Sequence, residues 1–165
     1  MASFWINLRR FFLGPEKFKT LNELREYAAG DPWKLAEYAR YHWGNVSIGV
    51  DKENWQHPED AFNEFSHYQP IHDSLNCDDY AVIYDYCLDG YKTKHLIYIV
   101  SKIGAHAICV FADGNEWRYL SNQRVMPYRF KTIADICRDV YSHPTMAFFK
   151  VWNGKKYVFG EKIDL

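Results

Sequence analysis

The stretch Leu75-Asn76-Cys77-Asp78-Asp79-Tyr80-Ala81-Val82 carries the strongest local signal in this chain of 165 residues. Asn76 is a good N-cap residue for a helix, and Asp79 follows three positions later, where a capping acid is expected. Residues 80–84 are apolar nearly all round, which indicates a buried helix. The sequence therefore predicts a central helix that begins at Cys77 and ends near Gly90.

Two helices are predicted in the first part of the chain, and a short third one follows. Thr20-Leu21-Asn22-Glu23 has the spacing of a capping box, and Gly30 ends the helix that it starts. Asp31-Pro32 begins the second helix, with proline at its first position, and Gly44 is its expected stop. His57-Pro58 begins the short third helix.

After the central helix the hydrophobic period changes to that of strands. We predict strands over 95–100, 104–112 and 116–123, a helix from Thr132 to Tyr141, and a last hairpin over 148–159 around Asn153-Gly154. Asp113-Gly114-Asn115 is a strong hairpin turn signal between the second and third strands. Helices followed by antiparallel strands predict an α+β fold, and the length fits a single domain.

Composition excludes several classes of function. The net charge is −1 and the basic residues are scattered, so no basic stripe favours a nucleic-acid partner. No run approaches the ~20 apolar residues of a membrane span. Four cysteines without C-x-x-C spacing argue against a zinc knuckle or a redox pair.

The segment from Met1 to Gly14 has its charges and apolar residues in the wrong order for a signal peptide. We interpret it as an arm that packs on the domain, with an amphipathic surface helix as the alternative. Together these observations predict a cytoplasmic protein of a bacterium or a phage.

Cys77 and His106 are the candidate catalytic residues of this sequence. The N–H groups at a helix N-terminus favour a thiolate and can also hold an oxyanion, although Asp78 and Asp79 oppose the negative charge. His106 lies between two alanines in an apolar strand, where another group has room to approach. Each residue alone also fits an ordinary core position, but together they predict a thiol–imidazole pair.

A third side chain usually orients the imidazole in such a pair. A three-residue hairpin loop would place His106 opposite Asn122, whereas a turn made of Asp113-Gly114 alone would place it opposite Ser121. Asn122 is the better candidate, because its amide oxygen can accept a hydrogen bond from the ring. Ser121 remains the alternative.

Acyl chemistry also needs hydrogen-bond donors for an oxyanion. The backbone N–H of Cys77 is one candidate, and the side chains of Gln69, Gln56 and His72 are others. The histidines and the aspartate of the loop 66–75 precede the cysteine, but their spacing matches no known metal motif. We therefore predict no metal ion.

Four motifs resemble those of the bacterial transglutaminase-like cysteine proteinases. The family pattern is W-x-x-P-E-E, G-D-C-E-D-Y-A, H-A-V and L-D-N, in that order. This chain has Trp55-Gln56-His57-Pro58-Glu59-Asp60, Asn76-Cys77-Asp78-Asp79-Tyr80-Ala81, His106-Ala107-Ile108 and Leu120-Ser121-Asn122. The resemblance covers residues 55–123 and implies a catalytic core there, with a helical part at 1–54 and a helix and hairpin at 124–165.

The resemblance implies a papain-like or transglutaminase-like core, in which a central helix carries the nucleophile and packs on an antiparallel sheet that carries the histidine. It implies thiol acyl chemistry on an amide or isopeptide of a protein or peptide substrate. Cys77 would be the nucleophile and His106 the general base and acid. The acid of the family's L-D-N falls on Ser121, and Asn122 matches its asparagine and would serve instead.

Calcium binding is also implied, because some members hold the ion through acidic residues that flank the cysteine. Here Asn76 replaces the first of these and only Asp78 remains, so we expect no cofactor. The missing carboxylate at Ser121 leaves a second hypothesis open, namely an inactive papain-like scaffold that binds a protein partner.

Overall fold

The computed structural model describes residues 16–43, 57–66, 77–88 and 93–165. The helices in these ranges are α1 (Leu21–Ala28), α2 (Pro32–His42), α3 (Pro58–Ser66), α4 (Cys77–Cys87) and α5 (Ile133–Val140). The strands are β1 (Lys94–Ser101), β2 (Gly104–Asp113), β3 (Glu116–Ser121), β4 (Arg124–Val125), β5 (Pro144–Trp152) and β6 (Tyr157–Lys162).

Local sequence explains where the first helices begin and end. Thr20 caps α1 in a full capping box with Glu23, as the spacing predicts, and Ala29 ends it in the left-handed conformation at φ 48°. Asp31 caps α2 by accepting hydrogen bonds from two backbone N–H groups, and Pro32 occupies the first helical position. The helix starts predicted from capping residues are confirmed.

The six strands form one open antiparallel sheet in the order β4-β3-β2-β1-β5-β6. Helices α1 to α4 come first in the chain, and α5 lies between β4 and β5. The α+β prediction, with helices packed on an antiparallel sheet, is confirmed.

Side chains of the central strand β2 alternate between two cores. Cys109 and Phe111 pack with apolar residues of α1 to α4. Ile108 and Val110 pack with apolar residues of α5 on the other face. Helix α4 belongs to the first side, and its residues 78–84 are all buried, as the apolar run predicts. The sheet thus separates an α4 face from an α5 face.

Several predicted boundaries differ from the structure. Asp113 pairs with Glu116, so the hairpin turn is Gly114-Asn115 and both predicted registers are wrong. Gly114 has a φ of 69°, a conformation that glycine adopts without steric cost. The third strand ends at Ser121 rather than at residue 123, and β5 begins at Pro144 rather than at residue 148.

Other predictions fall on residues outside the described ranges. These are the N-terminal arm, the stop at Gly44, the cap at Asn76 and the stop at Gly90. Among the described helices, none is long and apolar enough to cross a membrane.

Candidate active site

Cys77 is the first residue of α4, and its sulfur touches the sheet. The backbone N–H of Ala107 donates a hydrogen bond to Cys77 Sγ over 3.3 Å. Ala107 directly follows His106, so the structure brings the predicted nucleophile to the residue beside the predicted histidine. Cys77 is half-buried and packs with apolar residues of α4, β1 and β2.

The N–H of Ala107 reaches the sulfur because β3 ends early. Cys109 pairs with Leu120, and the same register would place Ala107 opposite Asn122. Asn122 instead adopts the left-handed conformation at φ 47°, which asparagine tolerates better than most residues and which ends the strand. The end of β3 therefore leaves a gap beside β2, and the sulfur of Cys77 occupies a position at that gap.

The ring of His106 is held by Ser121. His106 Nε2 lies 2.8 Å from Ser121 Oγ, and the hydroxyl accepts or donates according to the tautomer of the ring. Burial lowers the pKa of His106 from 6.5 to about 4. At neutral pH the imidazole is therefore uncharged, and it can accept a proton.

The sulfur and the ring approach the sheet from different sides. His106 lies two residues before Ile108 and so on the face of β2 that packs against α5, and Ser121 shares the same face of the sheet with Tyr119 of β3. Ala107 packs on the α4 face with Cys77. A contact between sulfur and imidazole has to form through the gap where β3 no longer covers β2.

The sequence favours Asn122 as the orienting residue, but Ser121 is the side chain that contacts the ring. The amide oxygen Oδ1 of Asn122 is buried and accepts no hydrogen bond from the described residues. Its backbone carbonyl accepts a 2.5 Å hydrogen bond from the hydroxyl of Tyr84. Asn122 thus shapes the end of β3, and the alternative candidate, Ser121, occupies the position beside His106.

The groups near the Cys77 sulfur have opposite effects on the stability of a thiolate. Cys77 Sγ donates to Asp78 Oδ1 over 3.8 Å, and this carboxyl group is buried. A carboxylate there disfavours a thiolate, whereas the N–H groups of the helix N-terminus and of Ala107 favour it. This balance suits a thiol that loses its proton to a neutral base during reaction, rather than a permanent thiolate–imidazolium pair.

The structure does not describe the other residues that the sequence predicts as oxyanion donors. The predicted oxyanion donors Gln56, Gln69 and His72 lie outside the described residues. In the described part of the chain no three histidine, cysteine or acidic side chains form a group that could hold a metal ion.

Sequence reasoning missed the role of two tyrosines. Tyr80 and Tyr84 of α4 bind the turn that follows Ser121, through Gln123 and Asn122 respectively. Their positions three and seven residues after Cys77 place them on its face of the helix, which was the only signal that the sequence offered.

Comparison with protein-family models, with curated proteins and with solved structures gave no match. The resemblance to transglutaminase-like proteinases therefore depends on the four motifs in this sequence.

Proposed function

We propose that this protein is a thiol-dependent amide or isopeptide hydrolase or acyltransferase with a papain-like core, acting on a protein or peptide. One observation carries the proposal. The sulfur of Cys77, at the N-terminus of a buried helix, accepts a hydrogen bond from the residue that follows His106, and the ring of that histidine is held by Ser121. A thiol, a neutral base and an orienting hydroxyl are the parts that covalent acyl chemistry requires.

The reaction begins when Cys77 Sγ attacks the carbonyl carbon of the substrate. The thiol proton passes to Nδ1 of His106, because Nε2 is occupied by Ser121. The negative charge on the carbonyl oxygen is held by the backbone N–H of Cys77. The C–N bond then breaks, and the proton on His106 moves to the leaving amine. Water or a second amine attacks the resulting thioester and loses its proton to His106. The C–S bond then breaks, and the proton on His106 moves to the leaving Cys77 sulfur, which restores the thiol and the neutral ring.

Acyl-enzyme formation tests this function. Incubation with p-nitrophenyl acetate should release one equivalent of nitrophenol in a burst and add one acetyl group to Cys77, seen by intact mass and peptide mapping. Cys77→Ala should lose the burst and the adduct. Cys137→Ala, which removes a buried thiol on the α5 face, should keep both. An equal burst in Cys77→Ala would show that Cys77 is not the nucleophile.

A second candidate function is a binding scaffold without catalysis. Two observations favour it: a hydroxyl stands where the family has a carboxylate, and His106 and Cys77 approach the sheet from different sides. A binder should keep its biological effect in Cys77→Ala, whereas an enzyme should lose it.

Ser121→Asp should restore the carboxylate that the family has at this position. A carboxylate beside His106 Nε2 favours the protonated ring, so we expect the pKa of His106 to rise from about 4 by about one to three. Titration of the ring by NMR measures the change. Asn122→Asp is the matched control, since that side chain has no hydrogen bond to the ring, and it should move the titration less. Equal shifts in the two variants would contradict the contact.

A further inference from the structure

The turn that follows Ser121 consists of Asn122 and Gln123. Ser121 pairs with Arg124 across it, so this turn fixes the end of β3 and the start of β4. Because Ser121 is the residue that holds the ring of His106, a displacement of this turn moves the partner of the imidazole.

Both residues of the turn are bound to α4 by tyrosine hydroxyls. Tyr84 donates to the backbone carbonyl of Asn122 over 2.5 Å. Gln123 Nε2 donates to the hydroxyl of Tyr80 over 2.8 Å. Both tyrosine side chains are fully buried, and Gln123 is buried as well. In such a place water cannot replace a lost partner, so each hydroxyl has a large effect on the position of the turn.

Three hydrogen bonds along one face of α4 therefore join it to β2 and to the turn after β3. Cys77 meets Ala107 of β2, and three and seven residues later Tyr80 and Tyr84 meet the turn. An α-helix is stiff over two turns, so the sulfur at its N-terminus and the turn that carries Ser121 are held at a set separation.

We propose that Tyr80 and Tyr84 are positioning residues, whose hydroxyls hold the Asn122-Gln123 turn, and through it Ser121 and the ring of His106, relative to the Cys77 sulfur. This inference rests on the proposed function, because it assigns the two tyrosines to the same site. Neither hydroxyl touches the sulfur or the imidazole, and both act through the turn.

The experiment uses Tyr80→Phe, Tyr84→Phe and the double variant, each of which keeps the ring and removes only a hydroxyl. Tyr38→Phe is the matched control, because Tyr38 is equally buried and its hydroxyl accepts a hydrogen bond from the N–H of Phe18, in the helical layer. Two measurements are made on each folded variant: the NMR titration of the His106 ring, and the rate at which iodoacetamide alkylates Cys77 at pH 7.

In the double variant α4 no longer holds the turn, and water should reach the ring of His106. We therefore expect the pKa of His106 to rise by about one. The alkylation rate of Cys77 should fall about tenfold, since a displaced base assists the thiol poorly. Tyr38→Phe should leave both quantities as in the wild type. If the double variant does not fold, the single variants carry the same test, because each keeps one of the two bonds.

A titration of His106 in the tyrosine variants identical to that of the wild type would overturn the inference, whatever happens to overall stability. Failure of the proposed function gives a different result, namely an alkylation rate of Cys77 that does not change in His106→Ala. In that case the NMR titration still decides whether the tyrosines position the ring.

Discussion

Cys77 should react with iodoacetamide at pH 7 at least about 100-fold faster than any of the other three cysteines. Burial raises the pKa of the Cys137 thiol to about 11, and burial raises that of Cys109 well above its ordinary value. Cys87 is also buried, whereas Cys77 is half-exposed at a helix N-terminus. At pH 7 a thiol with a pKa of 11 has about 300-fold less thiolate than a free cysteine, and poor access slows it further.

His106→Ala should lower the alkylation rate of Cys77 about tenfold, because the thiol then lacks a neutral base to take its proton. The cysteine should still react faster than the buried thiols, since their protection does not depend on the histidine. His95→Ala is the control, because His95 is a partly buried histidine that packs against Phe149, with a pKa that burial also lowers. Equal rates at all four cysteines, or equal effects of the two alanine variants, would remove the enzyme hypothesis. Quantitative mass spectrometry of the alkylated peptides measures each rate separately.

The second large effect concerns stability, which should fall as the pH decreases from 6.5 to 4. In this interval the unfolded chain binds a proton at His106 and the folded protein does not, because burial lowers the pKa of the folded residue to about 4. The neutral His106 makes its full contribution to the stability of the folded protein above pH 6.5, and this contribution is lost below pH 4. The difference between the two pKa values corresponds to about 3 kcal/mol in the free energy of unfolding.

Urea denaturation of the wild type and of His106→Gln at pH 7 and pH 4.5 measures this contribution. The pH dependence should be smaller in the variant, and the difference between the two proteins isolates His106 from other groups. Asp135, whose pKa is lowered first by its hydrogen bond to the Thr132 side chain, affects stability only near and below its ordinary pKa of 3.8. The same pH dependence in the two proteins would contradict a half-buried histidine that stays neutral in the folded protein.

The central helix was predictable because its signal is local. The apolar run after Cys77 and the capping residues before α1 and α2 report on their own neighbourhoods, and the structure has helices there. Strand β4 was not predictable, since two residues are too few to show a period of two.

The partner of His106 was harder to predict, because it depends on a register that one turn residue decides. A turn of Gly114-Asn115 shifts the pairing so that continuation would place Gln123 opposite His106. β3 has already ended there, and the ring reaches back to Ser121. The resemblance and the two predicted registers named Ser121 and Asn122 as candidates, but both registers are wrong, and the path of the chain at Asn122 brings Ser121 to the ring. That path depends on Tyr84, 38 residues away in sequence, which no local pattern connects to the turn.

These separations also determine when the site forms during folding. The contacts Cys77–Ala107, Tyr84–Asn122 and Tyr80–Gln123 join residues 30, 38 and 43 positions apart. Closing such loops costs entropy before any contact offsets it, so long-range pairs of this kind form later than an isolated helix. In a newly made chain, helix α4 can thus form before the N–H of Ala107 reaches Cys77 and before the turn beside His106 is in place. The arrangement of Cys77, Ser121 and His106 exists only after the hairpin of β2 and β3 has docked on the helix.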